Sequence, residues 1–187
     1  MKFHICRLPA GRQVCRFTLN ICMDTKLDFR QLNNSYSPQV VNLILPIQTV
    51  EFNIPITLKD QPDLMDMEQM YHNSGGNFWG AFNKDELVGT IALISIGHNA
   101  GAIRKMFVKK EFRGKEYSIA QQLLDKLIAY CRDVKITDLY LGTVDALKAA
   151  QRFYERNDFE RINQSALPDY FPRMSADTIF YHLVLKK

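Results

Sequence analysis

The feature that most constrains this chain is a strand-like run, Ala102-Ile103-Arg104-Lys105-Met106-Phe107-Val108, which leads through the polar turn Arg113-Gly114-Lys115-Glu116-Tyr117 into a helical period. From Ser118 onward the apolar residues Ile119, Leu123, Leu124, Leu127, Ile128 and Cys131 mark one face of a helix. That face docks on a sheet, and the unpaired amides of the first turn are left to point at the preceding loop. They carry about half a positive charge together, and Arg113 and Lys115 stand beside them, so a phosphate suits the position. The same residues also read as a plain polar loop, with Ser118 and Gln121 forming a capping box that satisfies the amides internally. The Walker pattern G-x-x-x-x-G-K-S/T is absent, because Lys115 is followed by Glu116 and only one glycine is near. That argues against a nucleoside triphosphatase, and without G-x-G-x-x-G a dinucleotide fold has no direct support.

A second motif lies downstream, Ala150-Gln151-Arg152-Phe153-Tyr154-Glu155-Arg156-Asn157-Asp158-Phe159. With the first, in this order and spacing, it resembles the GNAT N-acetyltransferase superfamily, whose signature is Q/R-x-x-G-x-G/A followed by A-x-x-F-Y-x-x-x-G-F. Arg113 matches the first position and Ala120 the last. Ser118 stands in place of the middle glycine, with two extra residues before it, and Asp158 replaces the glycine before Phe159. The resemblance covers roughly residues 43 to 187 and is most specific from 104 to 159.

Composition sets the limits. The 187 residues, 47% of them apolar, suffice for one domain with a core of its own. No apolar run approaches the ~18 residues of a membrane helix. The net charge of +4 is confined to residues 1–30, where Lys2, Arg7, Arg12, Arg16, Lys26 and Arg30 face Asp24 and Asp28. The rest is neutral, so no basic nucleic-acid surface is expected on the body. Residues 1 to 38 form an expected N-terminal arm with Cys6, Cys15 and Cys22 at no usual zinc spacing, dispensable for activity, with Met23 a candidate start. The alternative is an ordered extra element that covers the core. Residues 39 to 187 are the expected single domain, in a cytoplasmic protein that is a monomer or homodimer.

Within the body, Leu43-Ile44-Leu45 reads as a short strand ending at Pro46, and residues 64 to 72 as a helix introduced by Asp60-Gln61-Pro62-Asp63. Residues 78 to 82 and 87 to 96 form a hairpin across Asn83-Lys84-Asp85-Glu86. Strands follow at 139 to 143, 159 to 162 and 178 to 185, with a helix from 146 to 157 capped by Asp145. The expected class is α+β (mixed α/β), and the resemblance makes it GNAT-like, a mostly antiparallel twisted sheet of about six to seven strands flanked by helices.

The resemblance implies transfer of an acetyl group from acetyl-CoA to a primary amine, on a small molecule or peptide, by direct attack in a ternary complex. It places the cofactor's pyrophosphate on Arg113, Gly114, Lys115, Ser118, Ile119 and Ala120. It places the pantetheine arm and thioester oxygen on backbone groups of Met106, Phe107 and Val108. It makes Tyr154 the acid for the departing thiolate; by spacing alone Leu147, Ala150 and Tyr154 share a core-like face. Val108 and Met106 also read as alternating core residues. No metal site and no membrane or nucleic-acid partner is expected. For the general base Glu51, Glu111 and His98 are conceivable, though none sits in a matched motif. Cys131 reads as a buried structural thiol. Tyr170, Phe171 and Met174, in the loop from 167 to 177, are candidate walls for the acceptor. A non-catalytic acyl-CoA sensor or interaction module is the alternative, motivated by Ser118 and the missing base.

Overall fold

The computed structural model describes residues 27–186, and within them seven strands form one sheet. These are β1 (Leu27–Gln31), β2 (Asn77–Asn83), β3 (Glu86–Ser95), β4 (Ala100–Val108), β5 (Asp138–Thr143), β6 (Glu160–Ile162) and β7 (Ile179–Val184). Their spatial order is β1-β2-β3-β4-β5-β7-β6, and every neighbouring pair is antiparallel except β4 with β5. The parallel pair needs a crossover, which α2 (Ile119–Asp133) provides. The other helices are α1 (Ser37–Pro46) and α3 (Lys148–Arg156).

The sheet is covered on both faces. On one, Ile119, Leu123, Leu124, Leu127 and Cys131 of α2 pack with Ile91, Leu139, Leu141 and Tyr154, so the period read in the sequence faces the core. On the other, Val40, Leu43, Ile44 and Ile47 pack against Phe78, Phe82 and Ala92. A small cluster of Ala102, Phe171 and Phe180 holds down the loop before β7.

Two expected elements change. Leu43-Ile44-Leu45 is helical, because Val40, Leu43, Ile44 and Ile47 are spaced as one helix face and Ser37-Pro38 opens the first turn. Pro46 does not end the helix; the chain widens after it into a π-helical turn, Ile47–Glu51, closed by Phe52 N donating to Ile47 O at 3.2 Å. The expected helix from 64 to 72 is instead two short turns, Pro62–Leu64 and Glu68–His72. Asp66 divides them, since its carboxylate accepts from Gln69 N and from the Asn34 amide, at 3.2 and 3.0 Å.

The expected arm also reaches into the fold. Leu27–Gln31 is the edge strand beside β2, and Leu32 is fully buried with its amide donating to Phe78 O at 2.8 Å. The dispensability proposed for residues 1 to 22 concerns a segment outside the described residues. No helix of the described residues is long and apolar enough to cross a membrane.

Candidate active site

The site begins where β4 and β5 part. They pair from Ala100/Asp138 to Ile103/Leu141, after which β4 runs on through Val108 and β5 ends at Thr143. A bulge makes the divergence: Thr90 pairs with Phe107 and Ala92 with Arg104, so Lys105 and Met106 together oppose Ile91. Lys105 takes a φ of 52°, the left-handed conformation that bends a bulged strand away from its neighbour. Lys109 N donates to Val88 O at 2.8 Å, so by alternation the peptide groups of Val108 face the open side and those of Phe107 face β3.

The gap widens into a cleft whose empty volume, solvent at its mouth included, is about 830 Å³. Met106 and Phe107 line it from β4, Gly142 and Thr143 from β5, and Ala150 and Tyr154 from α3. Tyr154 is 6% exposed, and its hydroxyl lies 3.3 Å from Met106 Sδ. Burial raises its pKa, with smaller contributions from Asp177 and Tyr181, so the phenol keeps its proton at neutral pH. Asp158 takes a φ of 63°, which explains how an aspartate fills a glycine's place in the turn to Phe159.

The turn from 113 to 120 lies beyond the cleft along β4. Ser118 caps α2 in the left-handed conformation, φ 49°, and its hydroxyl donates to Lys115 O at 2.8 Å rather than serving the helix. Gln121 bonds Asp125 and Asn157 instead, so the expected capping box is not made. Among the described residues the amides of Ile119, Ala120 and Gln121 meet no protein acceptor; the first helical bond is Gln122 N to Ser118 O at 3.0 Å. Gly114, at φ 112°, has open space where a Cβ would stand. The guanidinium of Arg113 is already engaged: it forms a two-pronged pair with Glu51, donates from Nε to Val108 O at 2.7 Å and lies over Phe52.

None of the base candidates reaches the cleft. Glu51 is held by Arg113, whose hydrogen bond lowers its pKa. Glu111 is exposed in the turn Lys110–Phe112. His98 is exposed in the β3–β4 turn, at the other end of β4, and stacks on Tyr170 at 4.3 Å. Cys131 is buried in the α2 core, and burial pushes its thiol up to about 12. Of the proposed wall residues, Met174 lines the cleft, whereas Phe171 packs in the core and Tyr170 covers His98.

Sequence reasoning missed the polar floor and wall. Lys105 is buried, with its ammonium 3.2 Å from Asp63 and donating to Gln61 Oε1 at 2.6 Å. Gln61 and Gln48 exchange amide bonds at 2.9 and 3.3 Å, and Tyr71 donates to Asp63. Arg104 donates to Pro172 O, and Asp177 closes the cleft over Gly142. The available signal was Arg104-Lys105, two adjacent cations inside an otherwise apolar strand.

A splayed parallel pair, a bulge, a helix with free starting amides and a tyrosine at the opening define a GNAT-type acyltransferase site. The chain belongs to this family: the model of the acetyltransferase (GNAT) family matches residues 41–159. It is similar to a GNAT-family acetyltransferase from Staphylococcus aureus Mu50, at 43% identity and a TM-score of 0.82, over 86% of this chain and 99% of that one. It shares the fold of PaiA N-acetyltransferase from Thermoplasma acidophilum, a structure in complex with coenzyme A, at 15% identity and a TM-score of 0.68, over 84% of this chain and 98% of that one. Among curated proteins it is similar to the N-acetylaspartate synthetase of Danio rerio, 31% identical over 55% of this chain and 36% of that protein. The chain spans 54% or less of the length of the curated relatives it matches.

Proposed function

We propose that this protein moves an acetyl group from acetyl-CoA to the nitrogen of a primary amine, by direct attack with both substrates bound. The observation that carries this reading is the gap between β4 and β5 with the Tyr154 hydroxyl at its edge. Bound acetyl-CoA supplies an activated thioester; the chain's part is to hold it, orient it and move protons.

The residues present fit that substrate. The free amides of Ile119 and Ala120, the open space at Gly114 and the charge of Lys115 suit a diphosphate. Arg113 serves through its backbone and through its brace to Glu51, since three of its side-chain donors are taken. The backbone of β4 from Met106 to Val108, where it has parted from β5, suits the pantetheine arm, and an amide aimed at the thioester oxygen contributes about 3 kcal/mol to the transition state. Tyr154 delivers its proton as the C–S bond breaks; burial keeps the phenol protonated and weakens it as an acid, so the transfer is concerted with departure of the thiolate.

Release of free thiol from acetyl-CoA in the presence of an amine panel tests the reading, with calorimetry establishing acetyl-CoA binding first. Tyr154→Phe lowers kcat tenfold or more and leaves the Kd for CoA within about twofold. Unchanged turnover removes Tyr154 from the chemistry. Binding without turnover by any amine favours a non-catalytic acyl-CoA sensor.

A further inference from the structure

We propose that the acceptor is a small primary amine that also bears a carboxylate, an amino-acid-like zwitterion whose carboxylate docks on Arg104 and whose ammonium docks on Asp177. This rests on the acetyltransferase reading and names the acceptor class of the same cleft.

Strand alternation places the two side chains. Leu139 and Leu141 of β5 enter the core beneath α2 and α3, so Gly142 faces the other side of the sheet, where an added Cβ would lie 2.1 Å from Asp177 Oδ2. Arg104 reaches that same side, because Ala102, two residues before it, packs on Phe171 and Phe180, and the guanidinium itself bonds Pro172 O. Both therefore border the cleft on the face opposite α2, whose free amides suit the cofactor, and they meet the thioester position through the gap.

Charge then selects the ligand. Lys105 and Asp63 neutralise each other below the cleft, with Gln61 and Tyr71 completing their hydrogen bonds. Arg104 and Asp177 are the remaining charged groups of the lining, and among the described residues neither lies within 4.0 Å of an opposite charge. A half-buried cation and anion that make no direct ion pair with each other are best matched by a ligand with both signs. A plain amine pairs Asp177 and leaves Arg104 unmatched. Ile54, Ile56 and Met174 line the same cleft as apolar surface for the acceptor's carbon skeleton.

Asp177 is also placed to accept the ammonium proton. Burial raises its pKa, opposed by Arg104, then by a hydrogen bond from the Met174 backbone and then by Lys105. The charged and titratable groups facing it are Arg104 and Lys105 from β4 and Tyr154 from α3. Asp177 takes one proton from the ammonium, and the freed lone pair forms the C–N bond at the thioester carbonyl. The C–S bond breaks with its electron pair on sulfur, which takes the Tyr154 proton. The second proton lost from nitrogen restores the phenol, and Asp177 releases its proton to solvent, so the products are the amide, free thiol and one proton.

The test takes the best acceptor from a panel of amino acids and compares it with the same amine lacking the α-carboxylate, by thiol release. The expected kcat/KM ratio is at least tenfold in favour of the carboxylate form. Arg104→Met lowers that ratio at least tenfold through KM, and Arg104→Lys restores part of it. Asp177→Asn lowers kcat about a hundredfold and removes the rise of rate with pH that deprotonation of the carboxyl produces. Circular dichroism shows whether each variant is folded; for one that is not, the wild-type ratio decides alone. Should decarboxylated amines serve equally well, or should folded Arg104→Met keep the ratio, the acceptor assignment is overturned while the acetyltransferase reading stands. If acetyl-CoA neither binds nor reacts, both fall together.

Discussion

At the scale of single residues, the backbone conformations that replace glycine are the informative ones. Ser118 and Asp158 both stand where the family pattern has glycine, and both take positive φ, 49° and 63°. Asp is one of the side chains that enter this region at low cost; serine is less suited to it, and its hydroxyl is held on Lys115 O. Ser118→Gly is therefore expected to raise stability by about 0.5–1 kcal/mol, read as a higher Tm, and to tighten CoA binding by opening the approach to the amides. Gly142 is the opposite case. A methyl there meets a carboxylate oxygen, the carbon behind it and the Cβ of Asp177 at 2.1, 2.5 and 2.9 Å. Gly142→Ala should push Asp177 off the strand, costing about 1–3 kcal/mol by overpacking and reducing kcat more than the Kd for CoA. Chemical denaturation and calorimetry read the two effects separately.

At the scale of elements, the Glu51–Arg113 pair ties the π-helical turn after α1 to the loop that opens α2. Arg113's hydrogen bond holds the Glu51 carboxyl below its ordinary pKa, so the folded state binds fewer protons there than the unfolded chain. Its stabilisation is complete above the ordinary glutamate value and is lost as pH falls through the depressed one. The pair is partly exposed, so its worth is about 0.5–1 kcal/mol. Melting curves from about pH 7 down to pH 3 should show Glu51→Gln less stable than the wild type at the upper end, with the difference closing at the lower. Equal melting curves throughout would mean the contact contributes nothing. The elements legible in the sequence were those with a long, unbroken period: α2, the β2–β3 hairpin and α3, although α3 starts at Lys148 after Leu147, and Asp145 pairs with Lys148 rather than capping the helix. The failures were short. Leu43-Ile44-Leu45 is three apolar residues, and such a run fits a strand or a helix until its partners at Val40 and Ile47 are counted. The segment from 64 to 72 carries helix-favouring residues, but Asp66 turns its side chain onto the backbone and onto Asn34, a contact 32 residues distant.

At the scale of the molecule, the sheet sets how much chain the domain needs. β1 covers one edge of β2, and Leu32 lies buried beside Phe78, so the domain extends into the segment read as an arm. Deleting residues 1 to 22 is expected to leave Tm and turnover unchanged, whereas deleting through Leu32 uncovers the β2 edge and empties a core position at a cost of about 2–5 kcal/mol. Loss of the fold on the shorter deletion would refute the first expectation. The order of the elements from Asn77 onward was legible in the sequence alone, and the resemblance marked the turn at 113 to 120 and Tyr154 as candidates, because hydrophobic period, turn residues and motif spacing are local properties of the chain. The cleft was decided by tertiary structure. Lys105, Gln61 and Asp63 meet across 42 and more positions, and Asp177 comes over Gly142 only because β5 and β7 pair. No local pattern encodes such meetings, since what fixes them is the packing of whole elements around a bulge in one strand.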